Sequence, residues 1–406
     1  MIKTENEMDL NFHQKEMLAG KEGKAIQKAM EILLALSKIY YAEFLLPVRS
    51  VQIAGVSYDN LGEAGLEYLT ELADNGGKVK AFTTLNPAGM DIENWQAMNI
   101  SPDFAQQQIR VLNAFARMGV VTTCTCTPYL VGNLPIFGEH VAWSESSAVC
   151  FANSILGART NREGGPSALA AALTGYTPAY GFHLEANRKP TLTVKVECSL
   201  DGTNDFGALA EAISQKTASM PEKPVVWLEG ILSASIENLK SFCASLATFA
   251  GAALFHISGI TPESNKYQPP KDDIVISPQD LNDAKQRLNA SKTGEADFVS
   301  LGCPHLTLPE IARIAKMLEG KQVKKEFWIT TARPVKQIAD QMGYTRIIEA
   351  SGALFATDTC CVVAPIKGRF QRLATDSAKA CYYASGKNSM ETIFLPFDDV
   401  IREALR

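Results

Sequence analysis

The sequence predicts an α/β fold made of several subdomains. Short apolar runs alternate with amphipathic helical stretches nearly throughout, the pattern of strands feeding helices. The chain has 406 residues, more than one hydrophobic core usually serves. Its composition, 46% hydrophobic and 20% charged, is that of an ordinary globular protein. The net charge of -5 shows no basic excess, so a nucleic-acid partner is not expected. The segment 1–18 is acidic and polar without an apolar core, unlike a secretion signal. No run approaches the ~18 apolar residues of a membrane span. A cytoplasmic protein is therefore expected, with no membrane partner.

The elements follow in order. Residues 14–37 carry helical periodicity, 50–57 read as a buried strand, 61–72 as a helix and 78–83 as a strand. Ser101 before Pro102 is a helix start. Ala105, Ile109, Leu112 and Ala116 then share one face, and Gly119 is the stop. Further strands are expected at 120–124, 224–230, 252–259, 297–303 and 327–332. Leu239, Phe242, Cys243, Leu246 and Phe249 form a helical stripe. Thr307 and Glu310 have capping-box spacing ahead of Ile311, Ile314 and Leu318. Residues 260–275, with three prolines, are the most loop-like. Joints placed near Pro190 and in this loop divide the chain into 1–190, 191–270 and 271–406.

Nine cysteines in a chain without an export signal are poorly explained by disulfides. Either most are buried core residues or a subset binds metal. Cys150, Cys198 and Cys243 lie within helix-like or strand-like runs and read as structural. Cys126, Cys303 and Cys360 stand where strands give way to loops, and carboxyl ends of strands are where α/β sheets bind ligands. Pro128 and Pro304 lie close to two of them. Three thiolates can hold an iron–sulfur cluster with one iron left open to substrate. The trio has no CxxC spacing. A zinc site on Cys303 and His305 is the competing metal reading.

The segment 143–168 crowds polar side chains together. Glu145 is a candidate acid or base beside Ser146 and Ser147. Asn153, Ser154, Arg159 and Arg162 are candidate substrate contacts, the arginines as clamps for a carboxylate or phosphate. The plain alternative is a short helix, 146–156, followed by a solvated loop. Thr84 and Asn86 offer a hydroxyl and an amide at a strand end, or simply a capped turn. Lys379 has serine and threonine neighbours and is a further catalytic candidate. His305, two residues from Cys303, is a candidate substrate contact.

The motifs TCTPY (125–129), WSESSAV (143–149), FANSILGARTNREGGP (151–166), FHISGITP (255–262), LGCPH (301–305) and TDTCCVVAP (357–365) together resemble the aconitase X family. The resemblance runs from about residue 10 to the C-terminus. It implies an aconitase-like arrangement of α/β subdomains around a central cluster-binding cleft. It implies an iron–sulfur-dependent hydro-lyase that removes water from a small hydroxy acid. Cluster ligands would fall on Cys126, Cys303 and Cys360, with Cys124 and Cys361 adjoining two of them. The chain would be a large subunit closed by a separate small swivelling subunit. Of the family's substrates, cis-3-hydroxy-L-proline is the first expectation, because no run of lysine and arginine offers a phosphate site; mevalonate 5-phosphate is the alternative. A non-catalytic RNA-binding relative is the reading of another class, and the acidic balance counts against it.

Overall fold

The computed structural model describes residues 8–291 and 294–406, so the first seven residues of the acidic N-terminal stretch lie outside it. Three parallel sheets carry the chain. The first part holds β1 (Leu45–Pro47), β2 (Ser50–Ile53), β3 (Phe82–Leu85), β4 (Ala142–Trp143) and β5 (Tyr176–Pro178). Its sheet has the order β3-β2-β4, while β1 and β5 form an antiparallel ribbon. The second part holds β6 (Leu192–Val196), β7 (Val226–Glu229), β8 (Phe255–Ile257) and β9 (Asp273–Ile276), in the order β8-β7-β6-β9. The third holds β10 (Phe298–Leu301), β11 (Glu326–Thr331), β12 (Leu354–Thr357), β13 (Arg372–Thr375) and β14 (Glu391–Phe394), in the order β12-β11-β10-β13-β14. Every pairing in the second and third sheets is parallel. Strands such as β2, β8 and β10 are buried along their whole length. Helices covering both faces leave no place for alternation, which is why these strands read as continuous apolar runs.

Strand order places the site. In the third sheet the order reverses between β10 and β13, so the connections leaving them diverge and open a crevice at their carboxyl ends. Cys303 follows β10 and Lys379 follows β13. In the first sheet β2 lies between β3 and β4, and Glu145 follows β4. Helix packing then joins the parts. Helix Ser146–Ser154 packs on helix Ile236–Phe249, and helix Ala378–Asn388 packs on Ile236–Phe249 and Thr203–Thr217. Small residues permit this: Ala148, Ala152, Ala244 and Ala378 are fully buried.

Several sequence expectations change. The helix expected at 14–37 is two, Phe12–Leu18 and Lys24–Tyr40. Gly20 and Gly23 take positive φ between them, where an unbroken helix cannot run. No strand forms at 120–124; Val121 makes a single bridge to Thr84, and the chain then turns at Cys124, whose φ is 44°. The joint expected at 270 falls short of β9, which pairs with β6 (Val194 with Ile274) and so belongs to the second sheet. Ser101 accepts from the Phe104 N–H and the capping box at Thr307 forms, both as the sequence indicates. Among the described residues no helix is long and apolar enough to cross a membrane.

Candidate active site

The three cysteine loops share one backbone device. Each has a left-handed residue just ahead of its cysteine: Cys124 (φ 44°), Gly302 (φ 111°) and Asp358 (φ 64°). Two of these are not glycine, and such strain persists only where surroundings enforce it. At Asp358 the enforcement is visible. Arg333 Nε donates to Asp358 Oδ2 at 2.9 Å, and Arg333 also reaches Asp91, which accepts from the Thr357 N–H at 2.9 Å. Burial raises the Asp358 carboxyl to about 6 despite Arg333. Gly302 is required sterically, because a Cβ there would lie 2.2 Å from the Thr330 carbonyl oxygen. Gly302→Ala is expected to destabilise the fold by about 1–3 kcal/mol and to displace Cys303. Urea unfolding alongside metal uptake measures both, and an unchanged midpoint would refute the steric reading.

The loops carrying Cys126, Cys303 and Cys360 meet at His305, whose N–H points at Cys126 Sγ and whose Nε2 bonds the Thr359 carbonyl, so the structure brings the three thiols to one region. Burial raises all three, Cys126 to about 12. Cys126 and Cys360 are buried, and Cys303 is partly exposed. Among the described residues no three His, Cys, Asp or Glu side chains close on a single ion. A cluster places its thiolates on different irons, so convergence on one point is not its requirement. Cys124 packs in the core of the first part and Cys361 in that beneath β10 and β11.

Beside the thiols lies a buried ion pair. Glu145 caps helix Ser146–Ser154, and Lys379 sits in the first turn of helix Ala378–Asn388. Lys379 Nζ donates to Glu145 Oε1 at 2.6 Å, the Ser147 hydroxyl donates to the same oxygen at 2.8 Å, and Asn86 Nδ2 donates to Oε2 at 2.8 Å. Burial would raise the Glu145 carboxyl, but Lys379 and these hydrogen bonds bring it down to about 2. Burial opposes the Lys379 charge, yet Glu145, Cys303 and Cys126 hold the ammonium above its usual range. Ser146, partly exposed, has no hydrogen-bond partner for its hydroxyl among the described residues, and the buried Asn86 Oδ1 also has none.

His305 is fully buried. Its Nε2–H donates to the Thr359 carbonyl, and its Nδ1 accepts from the Thr125 hydroxyl, both at 2.9 Å. Burial lowers it to about 4, so the ring is neutral. With both nitrogens taken, His305 serves neither as a zinc ligand nor as a substrate contact. Other candidates also turn to the protein itself. Thr84 is fully buried, accepts from Asn133 and donates to the Val51 carbonyl. Asn153 bonds the Thr160 backbone, Arg188 and the Ala253 carbonyl. Ser154 accepts from the Phe255 N–H, and Arg159 pairs with Glu185. The reason is the same for all four: each lies at a seam between elements, where an unpaired polar group would be costly. Arg162, in contrast, is exposed and has no ion-pair or hydrogen-bond partner for its guanidinium among the described residues; its backbone bridges Trp143.

Two residues at the site escaped sequence reasoning. Lys240, 2% exposed, donates to the His305 carbonyl at 2.8 Å and to Glu310 at 2.7 Å. A lysine inside the stripe Leu239–Phe242–Cys243 was its signal. Asp376, at the end of β13, accepts from the Thr203 hydroxyl at 2.5 Å and is raised by burial to about 6. A cleft of about 450 Å³ opens between the second and third parts, lined by Thr203, Glu237, Glu310, Arg313 and Phe397. It does not itself touch the thiols. A narrow continuation past Lys240 and Asp376 reaches Cys303.

Several parallel α/β sheets meeting at their strand ends are the architecture of an aconitase-type hydro-lyase. The chain belongs to the aconitase X family: models of its first, second and third domains match residues 7–186, 190–286 and 296–406. It is 44% identical to the phosphomevalonate dehydratase large subunit of Methanothermobacter thermautotrophicus, over 97% of this chain and 98% of that one. Against the cis-3-hydroxy-L-proline dehydratase of Hypocrea jecorina it is 34% identical, over 91% of this chain and 64% of that protein. The crystal structure of Thermococcus kodakaraensis aconitase X, holo-form, superposes with a TM-score of 0.90 at 41% identity, covering 98% of this chain and 100% of that one. These similarities back the alternative substrate expectation better than the first, since identity is higher to the phosphomevalonate enzymes than to the hydroxyproline ones. The absence of basic runs does not weigh against a phosphate, because one phosphate needs only one or two cations, which a sequence can supply singly.

Proposed function

We propose that this chain is the large subunit of a phosphomevalonate dehydratase, acting on mevalonate 5-phosphate with an iron–sulfur cluster on Cys126, Cys303 and Cys360. The observation that carries the reading is the meeting of these thiols with the Glu145–Lys379 pair at the strand ends. The donor set fits the cluster. The Lys379 ammonium acts electrostatically on all three thiols and so offsets thiolate charge, and the His305 N–H points at Cys126 Sγ at 3.3 Å. When bound, the cluster supplies a Lewis acid that polarises the departing hydroxyl.

The chain's own residues bind and orient. Arg162, without a carboxylate partner among the described residues, suits the substrate's anionic end, and Ser146 and Asn86 Oδ1, unpaired among those residues, offer hydrogen-bonding groups beside Glu145. Neither Glu145 nor Lys379 is poised to cycle a proton at neutral pH, because the pair locks one ionised and the other charged. The base is assigned to a separate small subunit closing the cleft. Leu232, 96% exposed, and Ile236 flank the cleft residues Ser235 and Glu237 and give that subunit apolar contact. The test is turnover of iron-loaded chain with and without its small subunit. Mevalonate 5-phosphate is expected to be preferred over cis-3-hydroxy-L-proline by at least about 100-fold in kcat/KM, since a site built for a charged group rejects analogues lacking it. Comparable turnover of both would overturn the substrate assignment. Full activity of the chain alone would place the base here instead.

A further inference from the structure

We propose that His305 is the positioning residue that holds the three cysteine loops in mutual register for cluster assembly. Every polar atom of this residue is committed, and the commitments reach all three loops. Its own chain segment carries Cys303, two residues earlier. The Thr125 hydroxyl, next to Cys126, donates to Nδ1 at 2.9 Å. The carbonyl of Thr359, next to Cys360, accepts from Nε2 at 2.9 Å. The backbone N–H of His305 points at Cys126 Sγ at 3.3 Å, and its carbonyl accepts from Lys240 Nζ at 2.8 Å.

The tautomer follows from the partners. A carbonyl only accepts, so the proton is on Nε2, and Nδ1 is left to accept. The Thr125 hydroxyl therefore gives its proton to Nδ1, and its oxygen accepts from the Thr127 N–H at 3.2 Å and from the Thr127 hydroxyl at 3.1 Å. The Thr125 carbonyl is fixed in turn by Gln52 Nε2 at 3.0 Å. One rigid ring thus spans loops that lie 180 and 54 residues from it in the chain. A three-thiol site gathered from distant segments lacks the local spacing that orders a CxxC motif. Its order must come from outside the ligands, and groups that orient ligands typically govern affinity by about 10–100-fold.

The inference rests on the cluster reading above, and its test is arranged to separate the two. His305→Leu, His305→Gln and Thr125→Val are compared with the unaltered chain in two assays. In the first, each iron-loaded chain, with its small subunit, is challenged with an iron chelator, and the visible absorption of the cluster is followed. In the second, hydrogen exchange of segments 124–130 and 358–364 is measured on the metal-free chain. His305→Leu is expected to speed iron release about 10–100-fold and to loosen both segments. Thr125→Val should loosen 124–130 alone, with about tenfold faster release. His305→Gln keeps a donor near the Nε2 position and should retain protection at 358–364. Iron release and exchange at unaltered rates in His305→Leu would overturn the proposal, and so would loosening spread evenly over the whole chain. Should His305→Leu not fold, Thr125→Val decides, since unaltered exchange at 124–130 removes the tie. An unaltered chain that takes up no iron defeats the cluster reading, while the exchange arm still decides whether His305 braces the loops.

Discussion

Cys360→Ser is expected to lose its iron, whereas Cys361→Ser keeps it. The same contrast is expected between Cys126 and Cys124, and Cys303→Ser should behave like Cys126→Ser. The three proposed ligands lie on loops tied together at His305, near Lys379. Cys124 belongs to the core of the first part, and Cys361, although it shares a core cluster with Cys303, has its thiol engaged by Ser300. Replacing a ligand removes a soft thiolate that a hydroxyl does not replace. Lewis-acid assistance to a leaving hydroxyl is worth several kcal/mol, so turnover should fall by at least about 10³-fold at 1.36 kcal/mol per decade. The non-ligand serines should stay within about threefold of the unaltered rate, as about 0.6 kcal/mol allows. Iron and sulfide per chain, measured after anaerobic purification, checks the assignment. Retained iron in Cys360→Ser together with lost iron in Cys361→Ser would move the ligand by one position.

The second large effect concerns the Glu145–Lys379 pair. Lys379→Met leaves a buried carboxylate without its counter-charge, and Glu145→Gln leaves a buried ammonium. Each is expected to cost about 3–5 kcal/mol of stability, the usual penalty for breaking a buried pair from one side. The double variant removes both charges and should recover most of that loss. It should not recover activity, because Asn86 and Ser147 then lose the carboxylate they orient and the thiols lose the neighbouring ammonium. Urea unfolding and turnover together test this; additive losses in the double variant would deny the coupling. The pH dependence has a definite sign. The folded Glu145 carboxyl lies at about 2, below its unfolded value, so its contribution is complete above about pH 4.3 and is lost as pH falls through about 2. Glu145→Gln should flatten the acid limb in that window.

Periodicity made the helices and buried strands legible, because burial on one face or two leaves a local trace. Helix Pro102–Arg117 with its Ser101 cap and the capping box at Thr307 needed nothing beyond their own residues. The strand expected at 120–124 failed because apolar β-branched residues there make only one bridge before the chain turns at Cys124. Around the site, Asn86 and Lys379 are flagged by local polar character and Glu145, Ser146 and the three cysteines lie within the family motifs; in the fold Glu145 bonds both Asn86 and Lys379. Thr84, Asn153, Ser154 and Arg159 had the same polar character and went to seams instead. Composition does not separate the two fates, since a polar group at a seam and one in a cleft look alike until its partners are known.

The sequence by itself determined the α/β alternation, the caps, and, through six motifs, the family. Those are local or linear properties, carried by residues a few positions apart. Only the tertiary structure decided which polar groups stay free. Glu145 finds Lys379 across 234 residues, and His305 finds Thr125 across 180. Lys240 turns from an oddity in an apolar stripe into the cation under the His305 carbonyl. The reversal of strand order between β10 and β13 sets where these distant segments meet, because only there do diverging connections leave a crevice at the strand ends. Pairing, burial and the resulting charge states depend on that meeting and leave no periodic trace in the chain.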